Sequence, residues 1–159
     1  MDDTITYRDL LGSEKVELED SPVKSIGGPY EYEALNRKVS DTFRPLLLQP
    51  GIWNDPLKAS LFVTRQSNRM EYAALSYLWG NTTTKNLIWV DCKHLNIGTN
   101  LSMFLKYRRH PSHTLLLWTD AICIDQENLS ERGHQVRLMG DIYRSASNVY
   151  AWLGEESHD

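Results

Sequence analysis

Polar residues crowd one short stretch of this chain: Asp120, Asp125, Gln126, Asn128, Glu131 and Arg132. They lie between an apolar run that begins at Leu115 and a segment with helical periodicity. Open α/β sheets bind ligands at such strand-to-helix junctions, because exposed backbone groups and helix N-termini meet there. A connection between two elements needs less polar chemistry than this. Asp120 sits within the apolar run, so its burial demands a partner, either Arg132 or backbone N–H groups in the loop. Asp125 and Gln126 can hold a ligand hydroxyl or order the loop. A magnesium-dependent phosphoryl transfer through Asp120 and Asp125 would also need a phosphate-cradling loop and a placed lysine, and neither is evident. No metal site is expected, since ligands at His or Cys spacing are missing nearby. Asn128 and Glu131 have the spacing of an N-cap and a carboxylate at the third helical position. That arrangement is worth about 1 kcal/mol and needs no catalysis.

A second group closes the apolar run Tyr72–Trp79, which is stopped by Gly80 and Asn81. In a parallel sheet Ser76, Tyr77, Trp79 and Gly80 would end beside the first group. Trp79 could then stack on a ligand ring, and Gly80 would let a phosphate approach the backbone. Tyr77 and Trp79 also suit plain core packing. A glycine-rich G-x-G-x-x-G fingerprint is absent. Cys123, between Ile122 and Ile124, reads as an inert core thiol.

The elements that must position these residues follow from periodicity. Thr42–Gln49 and Leu61–Arg65 read as short strands joined by the turn-rich PGIWNDP. Tyr72–Trp79 and Leu115–Ile122 are near-continuous apolar runs, suited to strands buried on both faces. Asn86–Ile97 alternates around Asp91–Lys93, the pattern of a β-hairpin. Asn100 is placed to cap a helix that runs to about Arg109. After the polar loop a second helix carries Gln135, Met139, Ile142 and Tyr143 near one stripe, widened by Val136 and Ala146. Asn148–Leu153 is the last strand. Strands alternating with helices predict a single α/β domain with a partly parallel sheet flanked by helices and an inserted hairpin.

Composition agrees with that class. The chain has 159 residues, 41% hydrophobic and 24% charged, enough for one core without covalent staples. Cys92 and Cys123 both lie in apolar runs and are expected to be reduced thiols of a cytoplasmic protein. Nothing approaches the roughly 20 apolar residues of a membrane span. Residues 1–25 carry the whole net charge of −4, and the remainder balances acids against bases. A neutral body offers no footprint for nucleic acid. The basic cluster Lys106, Arg108, Arg109 and His110 closes a helix, where positive charge complements the dipole. Residues 1–28 are thus expected to form an acidic arm, 29–155 the domain, and 156–159 a tail where a longer protein could be cut.

Tyr72-Ala-Ala-Leu-Ser-Tyr-Leu-Trp-Gly80 resembles the opening block of the fungal heterokaryon-incompatibility (HET) domain. Leu117–Gln126, Glu131-Arg132, Gln135, Met139, Ile142-Tyr143, Ala146 and Trp152-Leu153-Gly154 resemble its later block. Thr119 departs from it conservatively. The resemblance implies a cell-death-inducing domain in nonself recognition, joined to other domains of a larger protein and active through self-association. The family is in turn distantly similar to TIR domains, which are flavodoxin-like. Several of those cleave NAD at the nicotinamide–ribose bond with a glutamate at a helix start. By that link Glu131 would be the catalytic carboxylate, steadying positive charge on the sugar. NAD would then be a substrate rather than a resident cofactor, with Asp125 and Gln126 holding a ribose hydroxyl. The alternative implied is a non-catalytic module that recruits death partners.

Overall fold

A computed structural model describes residues 27–36, 38–80 and 83–154. Apart from Gly27 and Gly28, the expected acidic arm lies outside the described residues, as does the 156–159 tail. Along the chain run β1 (Thr42–Phe43), β2 (Leu46–Leu48), β3 (Leu57–Leu61), β4 (Thr64–Arg65), β5 (Ala73–Tyr77), β6 (Lys85–Val90) and β7 (Lys93–Gly98). Helix α1 (Thr99–Arg108), β8 (Leu115–Trp118), the single helical turn α2 (Asp120–Cys123), α3 (Leu129–Ser145) and β9 (Asn148–Trp152) follow. Among the described residues the main sheet has seven strands, ordered β7-β6-β3-β2-β8-β5-β9. β8, β5 and β9 run parallel, as do β3 and β6, and β2 runs antiparallel to both its neighbours. This is the single-domain mixed α/β architecture expected, with β6 and β7 as the inserted hairpin.

Local chemistry accounts for the differences from expectation. The strand anticipated over 42–49 is broken at Pro45, which cannot donate to a ladder. β1 therefore pairs with β4 in a separate two-stranded sheet, and only Leu46–Leu48 enters the main one. The strand expected over 61–65 is likewise two pieces. β3 starts earlier, with Leu57, Ala59 and Leu61 buried at period two. β8 stops at Trp118 rather than Ile122, because Asp120 Oδ1 accepts the Ala121 N–H at 2.8 Å and starts a helical turn. The hairpin turns on Asp91 and Cys92, both at positive φ, the conformation of a two-residue turn matched to strand twist. Cys92 is thus exposed at the tip rather than buried, while Cys123 is buried as expected. On α3, Gln135 and Ile142 are fully buried, but Val136 is 55% exposed and does not widen the stripe.

The two long helices lie on opposite faces of the sheet. In β5, Ala74 is aligned with Trp118 and Leu75 with Tyr150, so those partners point to opposite sides. Phe104 of α1 packs on Tyr150 and Trp152, whereas Tyr143 of α3 packs edge-on to Trp118. The chain leaving β5 reaches α1 on one face, and the chain leaving the adjacent β8 reaches α3 on the other. That divergence opens a crevice at the carboxyl ends of β5 and β8.

Asn100 is not the cap of α1. That position is Gly98, without a side-chain bond, and Asn100 Nδ2 instead donates to Leu78 O at 3.0 Å. Its amide fits between Gly80 and Gly154, both at positive φ, and joins the ends of β5 and β9. A Cβ at Gly80 would sit 2.8 Å from Asn100 Nδ2. Gly80→Ala is expected to destabilise by about 1–2 kcal/mol through its left-handed backbone alone, with a further steric part. Chemical denaturation should show the steric part, and only that part, relieved in an Asn100→Ala background.

Candidate functional site

Beneath the crevice lies a buried ion pair. Arg44, between β1 and β2, and Glu131, in the first turn of α3, are 1% and 4% exposed. Arg44 Nη1 donates to Glu131 Oε1 at 2.8 Å and Nη2 to Oε2 at 3.2 Å, a bidentate fork. The same guanidinium donates to Cys123 O at 3.0 Å and Glu33 O at 2.6 Å, and lies 5.0 Å from the Tyr32 ring centroid. Glu131 Oε1 also accepts the Asp125 N–H at 2.9 Å, and the Glu131 N–H is capped by Asn128 Oδ1 at 3.0 Å. The cap expected from Asn128 is present. The carboxylate, however, reaches inward to Arg44 and Asp125 rather than back to the cap.

Above it the crevice widens into a groove of about 730 Å³, within the range of small-ligand sites. Tyr77 and Trp79 form one wall, near-parallel at 7° with centroids 6.3 Å apart. Tyr30 and Tyr32 form another, edge to face at 5.0 Å. Asp125, Gln126 and Glu127 line the side toward α3, and the hairpin contributes Lys85 and His94. Gln126 Nε2 donates to Asp120 O at 2.8 Å, which fixes this loop on α2. Burial pushes the Tyr30 hydroxyl up to about 12, with help from the Asp91 charge, so it stays a neutral donor.

Four of the residues expected at the site line this groove: Tyr77, Trp79, Asp125 and Gln126. Ser76 alternates with Tyr77 along β5 and so points to the opposite face. Gly80 is occupied by the Asn100 amide. Asp120 lies nearby and acts on Tyr77, whose hydroxyl is raised first by burial and then by the Asp120 charge. Its partner is the Ala121 N–H rather than Arg132, which is exposed. Glu131 lines a separate small recess with Ala34, Leu35, Asn128 and His134. Arg44 and the two tyrosines of the N-terminal wall were not anticipated. A charged residue inside the apolar stretch TFRPLLL was the available signal, since burial would require a carboxylate partner. Burial also pushes the Cys123 thiol up to about 12, consistent with an inert core residue.

Breaking the pair from one side should be severe. Glu131→Ala strands the Arg44 charge and is expected to cost about 3–5 kcal/mol, measured by urea unfolding. Arg44→Met combined with Glu131→Leu should recover much of that loss. Asp120 behaves in the opposite sense. Burial raises its carboxyl pKa in the folded chain, so the stability it contributes is present at low pH and lost as pH rises through that raised value. Asp120→Asn is therefore expected to raise the melting temperature at neutral pH. The gain should fade once the pH falls below the ordinary carboxylate range.

Comparison with known proteins bears on the same segments. The family described as Heterokaryon incompatibility protein (HET) matches residues 72–159, from the start of the β5 run through α3 and β9. Heterokaryon incompatibility protein 6, OR allele, of Neurospora crassa is 33% identical over 150 residues. That alignment covers 85% of this chain but 22% of the relative, so the chain corresponds to under a quarter of that protein's length. No solved structure matches the chain significantly. Among the described residues no helix is long and apolar enough to cross a membrane. The β5 and β8–α3 blocks that frame the groove are both inside the matched region, and the chain belongs to the heterokaryon incompatibility (HET) family.

Proposed function

We propose that this chain is the signalling domain of a heterokaryon-incompatibility protein, acting in nonself recognition and cell death by binding rather than by cleaving NAD. One observation carries the choice. Both oxygens of Glu131, the carboxylate a TIR-like mechanism would use, are committed to Arg44 inside the core and do not line the groove. A carboxylate that must steady a sugar cation needs to face the substrate, because stabilisation acts where charge develops. Releasing Glu131 would leave Arg44 buried without its counter-charge, a cost of several kcal/mol. The aromatic groove at the carboxyl ends of β5 and β8 is the recognition surface in this reading. The relative's greater length supports a place within a larger protein, and self-association or partner domains would bring grooves together.

The competing reading is TIR-like NAD hydrolysis, with NAD in the groove and a site completed by a neighbouring copy. Nicotinamide release measured over a wide range of protein concentration separates the two. The expected result is no release above buffer at any concentration. Release that climbs with concentration and disappears in a folded Glu131→Gln variant would overturn the proposal.

A further inference from the structure

The groove's charge and its rings select for one kind of ligand. Glu31, Asp125 and Glu127 line it, and none of the three is in an ion pair among the described residues. Among the described residues Asp125 Oδ1 accepts a neutral backbone donor, the Glu127 N–H at 3.2 Å, and no charged one. Against these carboxylates the lining offers Lys85 and the imidazole of His94. Four aromatic rings complete the walls, and Trp79 is 45% exposed with its stacked partner Tyr77 behind it. Ring faces carry negative potential and attract cations, arginine most often. One wall already does this from within, where the Arg44 guanidinium lies against Tyr32.

An anionic ligand fits poorly. A pyrophosphate would meet three carboxylates, and the Ala121 N–H at the start of α2 is already taken by the carboxylate of Asp120. A planar guanidinium, by contrast, can stack on Trp79 while its N–H fork engages a carboxylate, a geometry that lysine cannot reproduce.

We propose that the groove between β5, the Asp125–Glu127 loop and the Tyr30–Tyr32 segment binds an arginine side chain presented by a peptide of a partner protein. This rests on the reading of the chain as a binding module, and it supplies the chemistry of the partner. The occupant is a basic peptide segment, held by cation–π contact with Trp79, which Tyr77 backs, and by ion pairing with Asp125 and Glu127.

The test uses the whole chain and three pentapeptides, Gly-Gly-Xaa-Gly-Gly, with arginine, lysine or neutral citrulline at the centre. Binding is followed by the indole N–H signal of Trp79 in heteronuclear NMR, assigned with Trp79→Phe. The arginine peptide should shift that signal saturably, more weakly at high salt. The lysine peptide should bind less well, and citrulline should leave the signal in place. Asp125→Asn with Glu127→Gln should weaken arginine binding about tenfold, as expected for two partly exposed charges. The Asp125 N–H that supports Glu131 is backbone and survives that change, and unaltered amide spectra would confirm an intact fold. Equal binding of arginine and citrulline peptides overturns the proposal, as does saturable binding of NAD at Trp79 without any response to arginine. Nicotinamide release is read separately in the same samples. Arginine binding accompanied by NAD turnover would sink the non-enzymatic reading alone, and silence in both assays would sink this inference alone.

Discussion

A charge cannot be left alone in a protein core, and the placement of Arg44 under that constraint organises most of this domain. Its guanidinium gathers Glu33 from the N-terminal segment, Cys123 from α2 and Glu131 from α3 around the connection between β1 and β2. Each partner belongs to a different stretch of chain, with sequence separations of 11, 79 and 87 residues. Such a pair is not in itself a strong source of net stability, because desolvating two ions offsets much of their attraction. Its effect is selective. Any arrangement that separates these segments exposes the cost in full, so the pair favours one docking of α3 over its alternatives. The aromatic walls inherit that selection. Tyr32 rests on the Arg44 guanidinium and donates to Ile122 O at 2.8 Å, while the Asp125 loop hangs from Glu131 by its N–H. Both sides of the groove are thus referenced to a single buried point.

The sheet supplies the other half of the geometry. β2 carries three buried leucines and lies between two strands that it opposes in direction, so it is covered on every side. It separates the hairpin half of the sheet from the parallel half. In the half built from β8, β5 and β9, the parallel neighbours β5 and β8 end together and send their chains to opposite faces. The crevice follows from that divergence and would exist whatever residues lined it. What the residues add is a support outside the groove that is electrostatically closed, with Glu131 matched to Arg44, and a groove lining whose carboxylates are not matched in this way.

Periodic segments were legible from the residues alone. The hairpin, α3 and the strands around Leu75, Leu117 and Tyr150 all appear close to where alternation or apolar runs placed them, because each pattern reflects burial directly. Boundaries set by single residues were harder. Pro45 splits one expected strand, and Asp120 ends another by opening the helical turn that follows. At Asn100 a residue type favoured at helix starts was diverted to a longer-range bond with Leu78. The site was half legible for a related reason. Tyr77, Trp79, Asp125 and Gln126 were recognisable as residues at strand ends. Tyr30, Tyr32 and Arg44 come from a distant part of the chain, and no local pattern links them to α3.

The polar crowding between Asp120 and Arg132 therefore divides into two unequal tasks. Asn128 and Glu131 serve the architecture, one capping α3 and the other holding Arg44. Asp120 serves it too, by starting α2, but at the cost of a half-buried carboxyl whose pKa is raised by that burial. Asp125 stands between the tasks, since its backbone N–H supports Glu131 while its side chain faces the groove. Gln126 is similar, with its amide tied to α2 and its position on the groove wall. Function in such a segment is best sought among groups whose hydrogen-bonding or charge is not already spent on the fold. By that criterion the side chains of Asp125 and Glu127, with the ring of Trp79, have capacity left on the groove, whereas the charge of Glu131 is already matched by Arg44 away from it.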